Sequence, residues 1–418
     1  MFIDRLSLVE DQLARLRRLI DELLASNPFY GRKLIKAGVT DSSCISRLDD
    51  LSRLPATTRQ ELTEDQAVAP PFGTNLSYDF DRYLRWHRTS GTQGRPLHWL
   101  DTKESWDWVI ACWRSVLDAA GVTSRDRIFF PFSFGPFLGF WAGWDVAAQV
   151  GALSFSGANQ TSLQRLKTII EFMPTVVCAT PTYAIHLAEI AEQEGIDLAN
   201  SKVEKLIVAG EPGGSVPETR ELMERRWGAV VFDHAGATEV GPHSFSCSEG
   251  RALHLNEAEF IAEVWPEDPA ETAKRGELVL TNLGRLGSPV IRYRTGDLVE
   301  IDDGPCPCGR PFIRLVGGIA GRMDDMITIR GVNVFPSAIE GTLRRFEEVM
   351  EFRIEVSRVR SLDEIAVSVE VASDLIIPRI QRELANTFGL RIPVRAAPPN
   401  SLPRFELKAR RFIDNRKR

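Results

Sequence analysis

Between residues 5 and 25, apolar side chains return every three or four positions, at Leu6, Val9, Leu13, Leu16, Ile20 and Leu24. That period predicts one face of an amphipathic helix. From about residue 125, short apolar runs alternate with helical periods. RIFFPF (127–132), ALSFSG (152–157), TVVCAT (175–180), VEKLIVAG (203–210) and GAVVFDH (228–234) read as strands. Residues 161–172, 181–195 (opened by proline) and 217–227 read as the helices between them. Strands and helices taking turns predict a mainly parallel, doubly wound α/β sheet, with ligands bound at the carboxyl ends of its strands. Those ends carry the glycine-rich segments AGEPGG (209–214) and AGATEVG (235–241).

After residue 255 the helical periods fade. EAEFIAEVW (257–265), GELVLTNL (276–283) and LVEIDDG (298–304) predict short antiparallel strands, a small β-barrel-like part. Beyond Gly321 the order becomes βαββαβ, with a helix starting at Pro336, the pattern of a small α+β domain. The expected division is a large domain over 1–321 and a small C-terminal lid over 322–418.

A chain of 418 residues has room for more than one core. Its net charge of −6 gives no reason to expect nucleic acid or an anionic membrane as a partner. The basic stretch 404–418 reads as a solvated tail, with a phosphate-facing surface as the alternative. No apolar run reaches the roughly 18 residues that a membrane span needs. The first ten residues carry acids and lack a signal-peptide core. Six scattered cysteines fit a reducing cytoplasm rather than a disulfide scaffold.

The segment TSGTQGRP (89–96) combines small hydroxyl residues, two glycines and a cation. Glycines let a backbone turn its N–H groups toward an anion, and hydroxyls and Arg95 add donors and charge. It is not a Walker loop, because GxxxxGK[ST] is absent. The string resembles the TSGTTGKP signature of the adenylate-forming superfamily. AGATE (235–239), YRTGD (293–297), GRMDDMITIRG (321–331) and LPRFELKAR (402–410) resemble that superfamily's later motifs, in the same order. Within it, the chain is similar to the phenylacetate–CoA ligase branch. The wording GRMDDMITIRGVNVFPSAIE, the preceding CPCGR (306–310), NPFYGRKLIKAGV (27–39) and LSRLPATTRQEL (51–62) carry that likeness.

The resemblance implies ATP- and Mg²⁺-dependent adenylation of a small carboxylic acid, then transfer of the acyl group to coenzyme A. It implies roles residue by residue. Ser90, Gly91, Thr92 and Gly94 would cradle phosphates, with Arg95 in place of the usual lysine. Glu239, after Thr238, would hold Mg²⁺. Asp297 and Arg322 would meet the ribose. Adenine would lie between Gly210, Glu211 and Pro212 on one side and Asp233, His234 and Ala235 on the other. Ala235 stands where an aromatic ring usually stacks on the base, and His234 is a candidate replacement. Lys408 would reach the forming acyl-phosphate anhydride, although Leu407 departs from the family's glycine. Asp324 would be the hinge about which the lid turns to admit the thiol. A homodimer is also implied.

Two features stand apart from these motifs. Cys247, His254, Cys306 and Cys308 offer three thiolates and an imidazole, a donor set for a closed structural Zn²⁺ site. Residues 131–144 pack six aromatic side chains among three glycines, either a slot for a small planar acid or a core helix. Two alternatives keep part of this reading. The acyl group would pass to a carrier-protein thiol or an amine, or the chain would be a non-catalytic nucleotide-binding homologue, which only Ala235 and Arg95 favour.

Overall fold

In the computed structural model, which describes residues 4–89, 95–247, 249, 253–266, 274–329, 332–359, 362–405 and 409–416, the alternating segments build one eleven-stranded sheet. Its parallel half runs Leu153–Ser156, Arg127–Phe130, Val176–Ala179, Lys205–Ala209, Val230–Ala237. The apolar runs arise because helices cover both faces. Val176 and Cys178 enter one core, shared with helices Lys103–Ala119 and Leu138–Val150. Val177 and Ala179 enter a second, shared with Ser162–Phe172, Pro181–Gln193 and Pro217–Trp227.

The strands expected as a barrel-like part extend this same sheet. Val230–Ala237 turns at Gly241, whose φ is 100°, into the antiparallel strand Gly241–Ser246. Leu253–Leu255, Arg314–Arg322, Tyr293–Asp302, Arg275–Asn282 and Phe260–Trp265 follow, each antiparallel to the last.

The first helix forms over Arg5–Ser26, and its buried face overlaps the expected one: Leu16 and Ile20 are buried, and Leu13 and Leu24 pack partly buried against the core. Leu6 is 78 % exposed, whereas Leu8, Gln12, Leu16, Leu19, Ile20 and Leu23 are buried. Gln12 belongs inside because its amide donates to the Glu257 and Phe260 carbonyls at 2.7 and 2.9 Å. A polar residue with buried partners breaks an otherwise apolar stripe.

After Arg322 a third, separate core forms, containing Ile339, Phe352, Val367 and Leu384. Its four-stranded sheet runs Val394–Ala397, Leu362–Val371, Val349–Val359, Phe412–Asp414. The last strand corrects the reading of 404–418 as a solvated tail. It pairs parallel with Val349–Val359, and Arg404 and Arg416 bind Glu370 and Asp363 at 2.8 and 2.7 Å. Arg404, Arg411 and Arg416 of this segment thus pair with acids of their own domain.

One buried ion pair fixes the turn after Val230–Ala237. Arg285 and Asp101 are both 0 % exposed, joined by two bonds of 2.6 and 2.7 Å. Burial alone would raise the Asp101 carboxyl, but the Arg285 guanidinium outweighs it and holds the group below its ordinary value. The remaining Arg285 donor reaches the carbonyls of Thr238 and Glu239 at 2.6 and 3.3 Å. Arg285→Met should therefore lower stability by about 3–5 kcal/mol, because it strands a buried carboxylate. The check is a lower denaturant midpoint at an unchanged m value.

Candidate active site

Glu239 is 4 % exposed at the end of that turn. Its Oε1 accepts from Arg59 Nη1 at 2.6 Å and from the Tyr293 hydroxyl at 3.4 Å. Burial pushes the Tyr293 phenol well above its ordinary value, so it remains a donor. Arg59 opens the helix Arg59–Val68, whose N-terminus is set by a capping box between Thr58 and Glu61. Its other nitrogen, Nη2, donates to Thr89 Oγ1 and the Arg95 carbonyl at 3.1 and 3.3 Å. One guanidinium thus joins Glu239 to both ends of the 89–96 segment. Within that segment Ser90, Gly91, Thr92 and Gly94 lie outside the described residues, and Arg95 is exposed.

Asp297 and Arg322 are register partners on adjacent antiparallel strands, joined at 3.1 Å. Gly296, with φ 74°, lets the chain pass close to this pair; a Cβ there would sit 3.0 Å from the guanidinium. Asp324 follows in the single turn Met323–Asp325, exposed, where the large sheet ends and the lid begins.

Asp233 is buried and accepts from Ser215 Oγ at 2.6 Å. Burial raises its pKa to about 7, against the lowering effects of Ser215 and Arg220. The Gly213–Gly214 backbone passes tightly beside it: a Cβ on Gly214 would meet Asp233 at 2.6 Å. Along a strand, side chains alternate faces. Asp233 therefore takes the side of Ser215 and Gly214, and His234 takes the other. Its ring meets Trp113 at 4.4 Å. This corrects the expectation that His234 replaces the missing stacking ring.

Glu211 uses both carboxylate oxygens. Oε1 accepts from the Thr182 N–H at 2.8 Å and Oε2 from the Ala409 N–H at 2.9 Å. Ala409 belongs to the lid and follows Lys408, which lies outside the described residues. Two exposed ion pairs, Arg345–Glu218 at 3.0 Å and Arg225–Glu347 at 2.8 Å, also join the C-terminal domain to the large one.

Residues 331–416 match the AMP-binding enzyme C-terminal domain. The chain is 31 % identical to the phenylacetate–coenzyme A ligase of Thermus thermophilus, over 97 % of this chain and 96 % of that one. It is 31 % identical to the Escherichia coli phenylacetate–coenzyme A ligase over 99 % and 96 %. The chain belongs to the phenylacetate–coenzyme A ligase family. Among solved structures, 2-hydroxyisobutyryl-CoA ligase in the postadenylation state with 2-HIB-AMP superimposes with TM-score 0.93, at 29 % identity over 100 % of this chain and 91 % of that one. The same enzyme with 2-HIB-AMP and CoA in the thioesterification state gives 0.74, at 30 % identity over 99 % and 91 %.

Two groups lie beside these phenylacetate–coenzyme A ligase motifs. Cys247, His254, Cys306 and Cys308 gather with their ligand atoms all within 4.8 Å. His254 Nε2 is 3.4 Å from both Cys247 Sγ and Cys308 Sγ, and Cys247 and Cys306 are 3.8 Å apart. Residues 131–144 form an aromatic cluster running into the helix Leu138–Val150. Phe132 stacks on Phe140 at 4.1 Å, and Phe134 contacts Trp141 and Trp144 at 5.0 and 5.5 Å.

Arg59 and Arg285 were not singled out from the sequence, and Glu211 was placed beside adenine rather than against Ala409. Arg59 lies within LSRLPATTRQEL, already quoted as family-like, and that was its one available signal.

His234 and His243 add a pH dependence. Burial lowers their pKa values to about 4 and about 3. An unfolded histidine titrates near 6.5. Between that value and the folded one, the unfolded chain binds protons that the folded chain does not. Stability is therefore full above about 6.5 and is lost as the pH falls, each group contributing up to about 1.4 kcal/mol per pH unit. The unfolding midpoint should fall from pH 7 to pH 4.5, and fall less steeply in His243→Gln than in the wild type.

Proposed function

We propose that this enzyme activates a small carboxylic acid with ATP and passes the acyl group to coenzyme A. The observation that carries the proposal is the convergence of Glu239, Asp297 and Arg322 at one sheet end with the lid residue Ala409 docked nearby on Glu211. Adenylation sets a carboxylate in line with the α-phosphorus and expels pyrophosphate, so the protein's work is positioning and charge neutralisation.

In this reading Asp297 receives the ribose hydroxyls, with Arg322 keeping its carboxylate ionised and oriented. Adenine lies against the Gly210–Pro212 backbone on the Asp233 side. Ala235 supplies no ring there. Glu239 suits Mg²⁺, a hard cation that wants oxygen ligands. Both contacts described above use Oε1, and Oε2 would serve the metal. When bound, Mg²⁺ neutralises phosphate charge. Arg59 holds the Glu239 side chain and both ends of the phosphate segment in register. Lys408 brings a point charge to the developing negative charge at the acyl phosphate.

The aromatic cluster at 132–144 supports a small, flat acyl group. The expected division at 321/322 coincides with Asp324, which serves as the hinge. The cluster of Cys247, His254, Cys306 and Cys308 suits Zn²⁺. Tetrahedral bonds of about 2.3 Å to sulfur and 2.0 Å to nitrogen place ligand atoms about 3.5–3.8 Å apart, which agrees with the separations described above. His254 is further oriented by a 3.3 Å contact between Nδ1 and the Phe312 carbonyl. With four protein ligands the role is structural: it ties the loop at 306–308 to the strands at 241–255.

ATP–pyrophosphate exchange across benzoates, phenylacetates, hydroxylated aryl acids and short aliphatic acids tests the activity, followed by thioester formation with CoA against carrier proteins and amines. Lys408→Ala should reduce exchange by about 10²-fold or more while sparing thioester formation from a supplied acyl-adenylate. Exchange with no acid would sink the proposal. Elemental analysis of the purified protein should give one equivalent of zinc, lost in Cys306→Ser, and folded metal-free protein would end the zinc reading.

A further inference from the structure

We infer that Glu211 is a positioning residue that registers the lid against the nucleotide loop for the adenylation half-reaction. This rests on the functional reading above and deepens it. Glu211 follows the strand Lys205–Ala209, in the loop assigned to adenine. Its carboxylate is shared between two backbone N–H groups of different domains, that of Thr182 in the large domain and that of Ala409 in the lid.

The same two segments meet a second time. Arg411 is 7 % exposed, and its Nη1 donates to Thr182 Oγ1 at 2.9 Å. The ring of contacts therefore closes: Glu211 to Ala409, along the chain to Arg411, to Thr182, and back to Glu211. A carboxylate is the group this ring requires. Each oxygen accepts from one N–H, and Thr182 lies in the first turn of Pro181–Gln193, where the helix dipole favours an anion. A glutamine could accept from one N–H but would turn its own NH₂ toward the other.

Ala409 directly follows Lys408. Fixing the Ala409 N–H fixes the backbone that delivers the lysine, and it does so from the loop that touches the base. The whole chain superimposes better on the postadenylation complex of the 2-hydroxyisobutyryl ligase, at TM-score 0.93, than on its thioesterification complex, at 0.74, which fits a lid placed for the first half-reaction. Turning the lid about Asp324 separates Ala409 and Arg411 from Glu211 and Thr182, so the ring belongs to one of the two half-reactions.

The test compares wild type, Glu211→Gln and Thr182→Val in three measurements. The first is the ratio of ATP–pyrophosphate exchange to thioester formation from supplied acyl-adenylate. Glu211→Gln should lower this ratio about tenfold or more, and Thr182→Val should lower it by a smaller factor. The second is the division between kcat and KM for ATP in exchange. The loss should fall on kcat, with KM within about threefold. The third is hydrogen–deuterium exchange of the 409–416 segment in the substrate-free enzyme, where both variants should lose protection while the lid core at 352–369 keeps it. An unchanged ratio, a loss confined to KM for ATP, or unchanged protection at 409–416 would overturn the inference. Should the wild type exchange pyrophosphate with no acid, the functional reading fails, and the protection at 409–416 still decides the contact.

Discussion

The placement of Glu239 depends on a charge pair that never meets solvent. Arg285 and Asp101 are taken out of water together, a cost that a surface pair would not incur. The arrangement is tolerable because the guanidinium is fully used: two nitrogens bind Asp101, and the third binds the carbonyls of Thr238 and Glu239. Moving the Glu239 backbone would leave a buried cation short of an acceptor. The turn is rigid for that reason, and its side chain is then fixed from the other direction by Arg59 and Tyr293. Strand Val230–Ala237 supplies the direction, the buried pair supplies the position, and Arg59 ties both to the phosphate segment.

Local pattern carried the architecture further than it carried the site. The parallel half of the sheet was legible because its strands, buried on both faces, are written as short apolar runs between helical periods. The Cys/His group was legible because its donor chemistry is unusual, even though Cys247 and Cys308 are far apart in the chain. The burial of Gln12 on the first helix was not, since hydrophobicity alone cannot foresee its two buried carbonyl partners. The strand Phe412–Asp414 was hidden by the arginines around it, Arg404, Arg411 and Arg416, which look like a solvated tail until Glu351, Glu370 and Asp363 are seen beside them. Arg59 and Arg285 were invisible for a related reason. Their partners lie 180 and 184 residues away, and no local period marks which arginine of a charged chain will be buried. His234 was open to better reading. The two-residue period of a strand already sets it on the face opposite Asp233.

In the proposed two-step reaction the C-terminal domain has to leave this contact. It has its own core, so rotation exposes none of the apolar residues that hold the large domain together. The ion pairs across the boundary are exposed, and pairs of that kind are worth about 0–1 kcal/mol each. Arg411, a deeply buried cation at the boundary, takes two carboxylates with it: Glu351 and Glu340 both belong to the lid. Separation therefore breaks the hydrogen bond to Thr182 without stranding a buried charge. On the other side, Glu211 gives up the Ala409 N–H but keeps the N–H of Thr182. Each half of the interface retains a partner when the two part. An interface of this kind can be specific in geometry and still weak enough to open in every catalytic cycle.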